Sequence, residues 1–344
     1  MGYPHFAPTL LWNLPLPSEL GINKPADIFA FSPDDKLLLT LHEEQNAILW
    51  DLAANSLPRK LGFGRDNACS RLSVKAAALL GESGGFLVVF GVGHPAQHYD
   101  ILNEAAGSRL SEHVLPAAND VSISRDGRLI VLTTGTTMEL WDAQSLQRTQ
   151  VLTARVEIHS PFEKAAISQD EKYAAAVDAE GRFSVWGLAD DFFKASRNKE
   201  VGIELGVGWS PTSIGLNEQG FVMAVLRKRT SPGQDSWMLM SWGYKYEGPD
   251  NTLYAKEYSS CALACVAPST EFNVVLTPKG HLSGRDSAFW RLFATGQGAS
   301  KKGKVVSSGI SGSSKMLAAA RTNGRLAVWR LYTKDADPNE PYPG

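Results

Sequence analysis

One phrase recurs along this chain. A short apolar strand runs into a Ser–Asx turn, a second apolar strand follows, and a third ends in Trp. One copy reads Ile28-Phe29-Ala30-Phe31-Ser32-Pro33-Asp34-Asp35-Lys36-Leu37-Leu38-Leu39 and continues to Ile48-Leu49-Trp50-Asp51. Another reads Val121-Ser122-Ile123-Ser124-Arg125-Asp126-Gly127-Arg128-Leu129-Ile130-Val131 and continues to Leu140-Trp141-Asp142. A third starts at Ala166-Ile167-Ser168-Gln169-Asp170-Glu171-Lys172 and reaches Val185-Trp186-Gly187. A unit this short cannot bury its own apolar face, so it must stack on copies of itself.

The terminal Trp residues set the register: Trp50, Trp141, Trp186, Trp242, Trp290 and Trp329. The step from 141 to 186 is 45 residues, from 242 to 290 it is 48, and from 290 to 329 it is 39. The 91 residues from 50 to 141 hold two units, and in the hidden one Tyr99 stands where Trp is expected. Seven units follow, with cores over 27–52, 70–102, 117–142, 163–187, 211–243, 258–293 and 307–331. Three strands per core, plus one in each intervening segment, predict an all-β fold. Runs such as Leu129-Ile130-Val131-Leu132 and Phe86-Leu87-Val88-Val89-Phe90 are apolar throughout, as strands buried on both faces must be. Ala174-Ala175-Ala176 and Ala318-Ala319-Ala320 suit a helix by propensity, but their length and their place between turns assign them to strands. Asp126-Gly127, Glu180-Gly181, Gln219-Gly220 and Asn323-Gly324 are hairpin signals.

A period of ~40–45 residues with four strands and a Trp-Asp ending marks propeller blades. On Trp50-Asp51 and Trp141-Asp142 the chain resembles the WD40-repeat family, and the resemblance covers nearly its whole length. It implies a seven-bladed β-propeller forming one domain over 1–334, with a polar, Pro-rich tail at 335–344. The other units end in Trp-Gly or Trp-Arg. The family's Gly-His pair, whose His joins a buried network with Ser/Thr, Asp and Trp, is essentially missing, so apolar packing and strand ladders are expected to hold most blades. The strand-like segment 9–13, Thr9-Leu10-Leu11-Trp12-Asn13, is expected to pair into the last blade as its outer strand, removing an open edge.

Of 344 residues, 43% are hydrophobic, enough for a packed interior, and the formal charge of -2 argues against whole-surface attraction to nucleic acid or anionic membrane. No apolar run approaches the ~18 residues of a membrane span, and no signal peptide stands at the N-terminus, so an intracellular, soluble protein without membrane insertion is expected. Cys261 and Cys265 sit roughly 13 Å apart on an extended strand, too far for a disulfide; with Cys69 they read as reduced thiols.

The search for chemistry finds no specific catalytic grouping. No Walker-type Gly-Lys-Ser loop occurs in the sequence. The glycines at 91–93 and 202–208 do not sit in a βαβ unit, so they read as hairpin or bulge residues. His94 and His98 are four apart but lie in a Pro-containing turn, and the acidic pairs Asp34-Asp35, Glu43-Glu44 and Asp190-Asp191 fall in turns. No enzyme activity, cofactor or metal is therefore expected.

Two basic clusters, Arg227-Lys228-Arg229 at the start of a long hairpin connection and Lys301-Lys302-Gly303-Lys304 between units, are either solvated loops or sites for an acidic partner. No aromatics interleave with these charges in the sequence, so single-stranded nucleic acid is not favoured. Two insertions carry aromatic residues: 190–197, expected to form a short helix bearing Phe192 and Phe193, and 244–251, bearing Tyr244 and Tyr246. Both are expected on the same face. Phe192 and Phe193 either contact a partner or pin the insertion to its blade. The function expected from the resemblance and the failed search is a non-catalytic scaffold or adaptor in a multiprotein assembly. The alternatives are a peptide or modified-residue reader at the channel mouth, where Asp27, Asn119 and Glu163 start inner strands, and a propeller enzyme.

Overall fold

The recurring phrase is a turn that uses the same atoms each time. The computed structural model describes residues 9–16, 20, 22, 24–42, 46–54, 57–62, 74–80, 85–89, 94–100, 115–153, 160–168, 170–188, 195–201, 208–216, 220–231, 234–243, 254–258, 264–266, 272–276, 282–286, 292–296, 305–311 and 315–331. In the first copy the Ser32 hydroxyl donates to Asp34 Oδ1 at 2.7 Å and accepts the Leu37 amide at 2.9 Å. Ser124 does the same with Asp126 (2.7 Å) and Leu129 (3.0 Å), and Ser168 with Asp170 (2.8 Å) and Tyr173 (3.0 Å). The fourth turn residue is left-handed in all three: Asp35 at φ 59°, Gly127 at 75°, Glu171 at 58°. Serine and aspartate therefore satisfy the turn's backbone amides, and a residue tolerating positive φ reverses the chain.

These turns join strands into seven antiparallel sheets, six of four strands and one of three among the described residues. The first sheet holds β2 (Ile28–Phe31), β3 (Leu37–His42), β4 (Asn46–Asp51) and β5 (Arg59–Gly62) in sequence order. The second holds β6 (Ala76–Leu79), β7 (Gly85–Val89) and β8 (Gln97–Asp100). The third holds β9 (Val121–Ile123), β10 (Leu129–Thr134), β11 (Thr137–Asp142) and β12 (Arg148–Thr153). The fourth comprises β13 (Phe162–Ile167), β14 (Tyr173–Asp178), β15 (Phe183–Leu188) and β16 (Ala195–Val201). The fifth comprises β17 (Trp209–Leu216), β18 (Phe221–Ser231), β19 (Gln234–Gly243) and β20 (Tyr254–Tyr258). The sixth comprises β21 (Ala264–Val266), β22 (Phe272–Leu276), β23 (Leu282–Asp286) and β24 (Leu292–Gly296). The seventh is built from β25 (Val305–Ile310), β26 (Met316–Arg321) and β27 (Arg325–Arg330), with β1 (Thr9–Pro15) added beside β27. The fold is thus all-β, in small separate sheets, none of which closes on itself.

Neighbouring sheets share their cores. Along β10, Leu129 and Val131 pack toward the fourth sheet, while Ile130 and Leu132 pack toward the second. Along β14, Ala174 and Ala176 face the third sheet and Ala175 and Val177 the fifth. The alanine runs at 174–176 and 318–320 are strands, as their length predicts. The first strands contact one another in order: β2 with β6, then β9, β13, β17, β21 and β25, and β25 meets β2 again. At that last contact Gly309 in β25 is required by close approach, since a Cβ there would lie 2.6 Å from Phe29 Cβ.

The third-strand aromatics occupy one equivalent place. Trp50, Trp141 and Trp186 each pack on the face turned toward the preceding sheet. Tyr99 does the same, buried against the first sheet and stacked on Phe86 at 5.2 Å, so it does substitute for the missing Trp. The third strand of the sixth sheet ends at Asp286, paired with Phe272, and Trp290 lies outside the described residues. The 190–197 helix expectation is corrected, because Ala195, Ser196 and Arg197 belong to strand β16, which satisfies the outer backbone edge of β15.

The N-terminal segment pairs with β27 as expected, from Thr9↔Arg330 to Pro15↔Arg325, two residues longer than its sequence pattern indicates. Arg325 Nε donates to Asn13 Oδ1 at 3.0 Å and Leu16 N to Gly324 O at 2.8 Å, while Leu11, Trp12 and Leu14 pack into the core between the first and seventh sheets. Deleting residues 1–15 should therefore destabilise the protein by several kcal/mol (on the order of 1–3 kcal/mol per large side chain lost from the core). Deleting 336–344 should cost far less. Thermal melting of the two truncations checks this, and equal melting temperatures would refute it.

Candidate functional site

The fifth sheet outreaches the others. β18 has 11 residues and β19 has 10, while no described strand of another sheet exceeds 7. The basic run Arg227-Lys228-Arg229 lies within this extension and does not begin a loop. Arg227 pairs with Trp237, Lys228 with Ser236, Arg229 with Asp235 and Ser231 with Gln234. The ladder continues because Pro and Gly, which would break it, come only at 232–233.

Register then brings cations onto aromatic rings. Arg227 and Trp237 are directly opposite, as are Lys228 and Trp209 across β17 and β18. The Arg227 guanidinium carbon is 5.6 Å from the Trp237 ring centre, and Lys228 Nζ is 5.8 Å from that of Trp209. Successive strand residues face opposite ways, so one cation–ring pair lies on each face of the hairpin. Such pairs contribute ~0.5–1 kcal/mol when exposed and about 2 kcal/mol when desolvated. Trp237 is buried, and Arg227, Lys228 and Trp209 are half-buried. Among the described residues no carboxylate forms an ion pair with Lys228, which lies over the Trp209 ring. The sequence reading that no aromatics accompany these charges is corrected: they arrive from 10 and 19 residues away, and only the strand register reveals them.

Gly243, which leads into 244–253, pairs with Phe221 at the far end of β18 from Arg229. Tyr244 and Tyr246 lie outside the described residues, as do Phe192, Phe193 and the 301–304 lysines. The flanking strands place both insertions as links between a third and a fourth strand, 189–194 joining β15 to β16 and 244–253 joining β19 to β20. The strand ends that flank 244–253 therefore lie at the other end of the fifth sheet from its basic hairpin.

The residues at the starts of the first strands are largely occupied. Asn119 is buried and its side-chain amide donates to Phe162 O at 3.0 Å. Its neighbour Asp120 accepts Lys164 Nζ at 2.9 Å and Ala165 N at 3.0 Å, tying the third sheet to the fourth. Asp27 is exposed and Glu163 half-buried.

No protein-family model and no curated protein matches the chain. The reading of the site thus rests on its own geometry.

That geometry includes one buried polar relay, which the sequence did not lead us to expect. Trp50 Nε1 donates to Thr40 Oγ1 at 2.9 Å, and Thr40 Oγ1 lies 3.1 Å from His42 Nε2. His42 Nδ1 lies 3.0 Å from Lys24 O, so the consistent tautomer carries its proton on Nδ1 and accepts from Thr40 at Nε2. Here the His comes from the end of the second strand, not from a Gly-His pair. Burial holds the His42 imidazolium below its ordinary range, partly offset by the Lys24 carbonyl and Asp27. The relay lines a small cleft between the first and seventh sheets, with Leu16, Arg325 and Leu326, that has room for about one water. In the third sheet Trp141 donates instead to Glu139 (2.9 Å), and in the fourth Trp186 donates to Thr153 O (3.2 Å).

Among the described residues no three His, Cys, Asp or Glu side chains gather to hold a metal. His98 is a strand residue packed on Gly85, where a Cβ would lie 2.1 Å from its Nε2. No helix among the described residues is long and apolar enough to cross a membrane. Of the cysteines, Cys265 lies in β21, and Cys69 and Cys261 are outside the described residues.

Replacing Thr40 by Val should cost about 1–3 kcal/mol, because the Trp50 N–H and His42 Nε2 lose their shared partner. Thr40→Ser should recover most of it. The sign for pH follows from the depressed His42 value: its contribution is complete above about 6.5 and is lost as pH falls through the folded-state value. Denaturant titrations of wild type and Thr40→Val at pH 7.5 and 5.5 check both statements.

Proposed function

We propose that this chain is a seven-bladed β-propeller of the WD40-repeat kind and serves as a non-catalytic scaffold inside the cell, with an acidic partner protein docking on the basic hairpin of the fifth sheet. The seven sheets, the first-strand contacts that run from β2 around to β25 and back, and the N-terminal strand added to the seventh sheet support the propeller. Sheets buried on both faces make a rigid support, and recognition then falls to what projects from it. The observation that carries the docking reading is the β18–β19 extension, in which Arg227 lies over Trp237 and Lys228 over Trp209 while all three basic residues stay within the strand ladder. A fixed cation costs less entropy to engage than a free lysine or arginine side chain, so it favours a defined partner over diffuse attraction.

The scaffold reading predicts a charge-dependent set of bound proteins. Affinity purification with quantitative mass spectrometry should show a discrete set lost when Lys228 and Arg229 are both changed to Glu. The same set should be retained when the outer-strand residue Arg148 is changed to Glu. Circular dichroism melting of the double variant separates lost docking from lost folding. An unchanged set on a folded Lys228→Glu/Arg229→Glu protein would exclude the hairpin as the docking site.

A further inference from the structure

The Ser–Asp turns of the third and fourth sheets meet at a cluster of three charged groups. Asp126 accepts Ser124 Oγ at 2.7 Å and the Arg128 amide at 3.0 Å, and the Arg128 side chain pairs with it through Nε. Glu171, the left-handed residue of the next turn, brings Oε2 to 3.6 Å from Arg128 Nη2. Its side chain is only 11% exposed, against 40% for Asp126 and 69% for Arg128. Glu171 Oε1 is sealed from solvent, and no donor among the described residues reaches it. Two carboxylates thus share one arginine, and the more buried of them has the poorer contact with it.

We propose that Glu171, Asp126 and Arg128 form a proton-dependent clasp between the third and fourth sheets, closed while Glu171 carries a proton and loosened when it ionises. Burial, with the Asp126 carboxylate beside it, pushes the Glu171 carboxyl up to about 7. Asp126 goes the other way: against the cost of burial, hydrogen bonds from Glu171, the Arg128 amide, Ser124 and the Arg128 side chain hold it well below the usual carboxylate range. Protonated Glu171 therefore donates toward ionised Asp126, and Arg128 neutralises the single remaining charge. Ionised Glu171 adds a second negative charge that the half-buried site does not balance. The other charges at this junction leave the balance unchanged. Asp170 is engaged by Lys172 at 3.3 Å within the same turn, and Asp142, capped by Ser145, acts only on Arg128 from the end of β11. The backbone strain of a non-glycine residue at φ 58° is consistent with a side chain placed for this contact, since the third sheet has Gly127 at the same position.

The sign is fixed by the raised value. The folded state binds the Glu171 proton more tightly than the unfolded chain, whose value is 4.5, so the clasp's contribution is complete below about 4.5 and is lost as pH rises through about 7. The turn that carries Glu171 is also tied to the third strand of its sheet. Leu188, the last residue of β15, donates to the carbonyl of Lys172, adjacent to Glu171, at 2.7 Å, and the next residues enter the 189–194 insertion. The clasp thus stands one hydrogen bond from the segment that carries Phe192 and Phe193.

Replacing Glu171 by Gln keeps the shape and a donor toward Asp126 but removes the titration. The full-length Glu171→Gln protein should melt with wild type at pH 4 and about 2 °C above it at pH 8. Parallel melting curves across that range would overturn the clasp. Carbon-13 NMR titration of the side-chain carboxyl in the wild-type protein gives an independent reading that needs no variant. A Glu171 midpoint near 7 is the expected result, and one between 4 and 5 refutes the proposal even if the variant fails to fold.

Discussion

Burial of second strands on both faces is the constraint from which the rest of the structure follows. β3, β7, β10 and β14 are buried along nearly their whole length. A sheet with two apolar faces cannot stand alone in water, because exposing either face forfeits on the order of 25 cal/mol for each Å². Each sheet must therefore have a neighbour on both sides, and a row of such sheets is satisfied only if the last meets the first. The contacts of β25 with β2, of Gly309 with Phe29, and of the Ser307 hydroxyl with the Ala26 carbonyl place the seventh sheet against the first. Stability here is a collective property, held in the layers between sheets more than in the sheets themselves.

Polar groups settle where those layers begin and end. The Ser–Asp turns give up no backbone amide to the interior, because a hydroxyl and a carboxylate take the places of missing ladder partners. In the first, third and fourth sheets the last residue of the third strand, or the one after it, is tied back to the first turn: Leu52 N to Lys36 O, Ala143 N to Arg128 O, and Leu188 N to Lys172 O, all at 2.7 Å. Junction polarity is then handled sheet by sheet. Thr40 and His42 serve Trp50, Glu139 serves Trp141, and the Thr153 carbonyl serves Trp186, while the Trp329 indole N–H is buried with no acceptor among the described residues. The common requirement is a buried aromatic at the inter-sheet layer. What accepts its N–H is improvised locally.

This division explains what the sequence made legible. Strands, hairpins and sheet order are local or periodic, so Leu129-Ile130-Val131, the alanine runs and the Trp spacing announced them. Tyr99 was recognisable because its slot in the period was known before its identity mattered. The misreadings share a different cause. Residues 195–197 resembled helix because their charged, polar composition gives no alternation, although an outer strand with one solvated edge needs none. Arg227-Lys228-Arg229 resembled a loop for the same reason. The rings beneath them, Trp209 and Trp237, lie in other strands, and their pairing depends on register across two ladders. The His42 relay was hidden because the search looked for His before an inner strand, whereas the hydrogen-bond geometry can be met from the end of the second strand as well.

The same geometry separates two kinds of surface by what anchors them. At one end of the fifth sheet, charge is fixed by rings within a continuous hairpin. At the end where third strands depart, the neighbouring fourth sheet is pinned through Lys172 and Glu171 to a carboxylate pair that shares one arginine. A rigid basic site and a proton-sensitive junction place different demands on a partner. The first selects by charge, and its strength falls with ionic strength as the screening length shortens. The second selects by conformation, because it changes how firmly one sheet holds its neighbour. On the proposed scaffold reading, one contact stays constant while the other responds to pH, and the two lie at opposite ends of the strands.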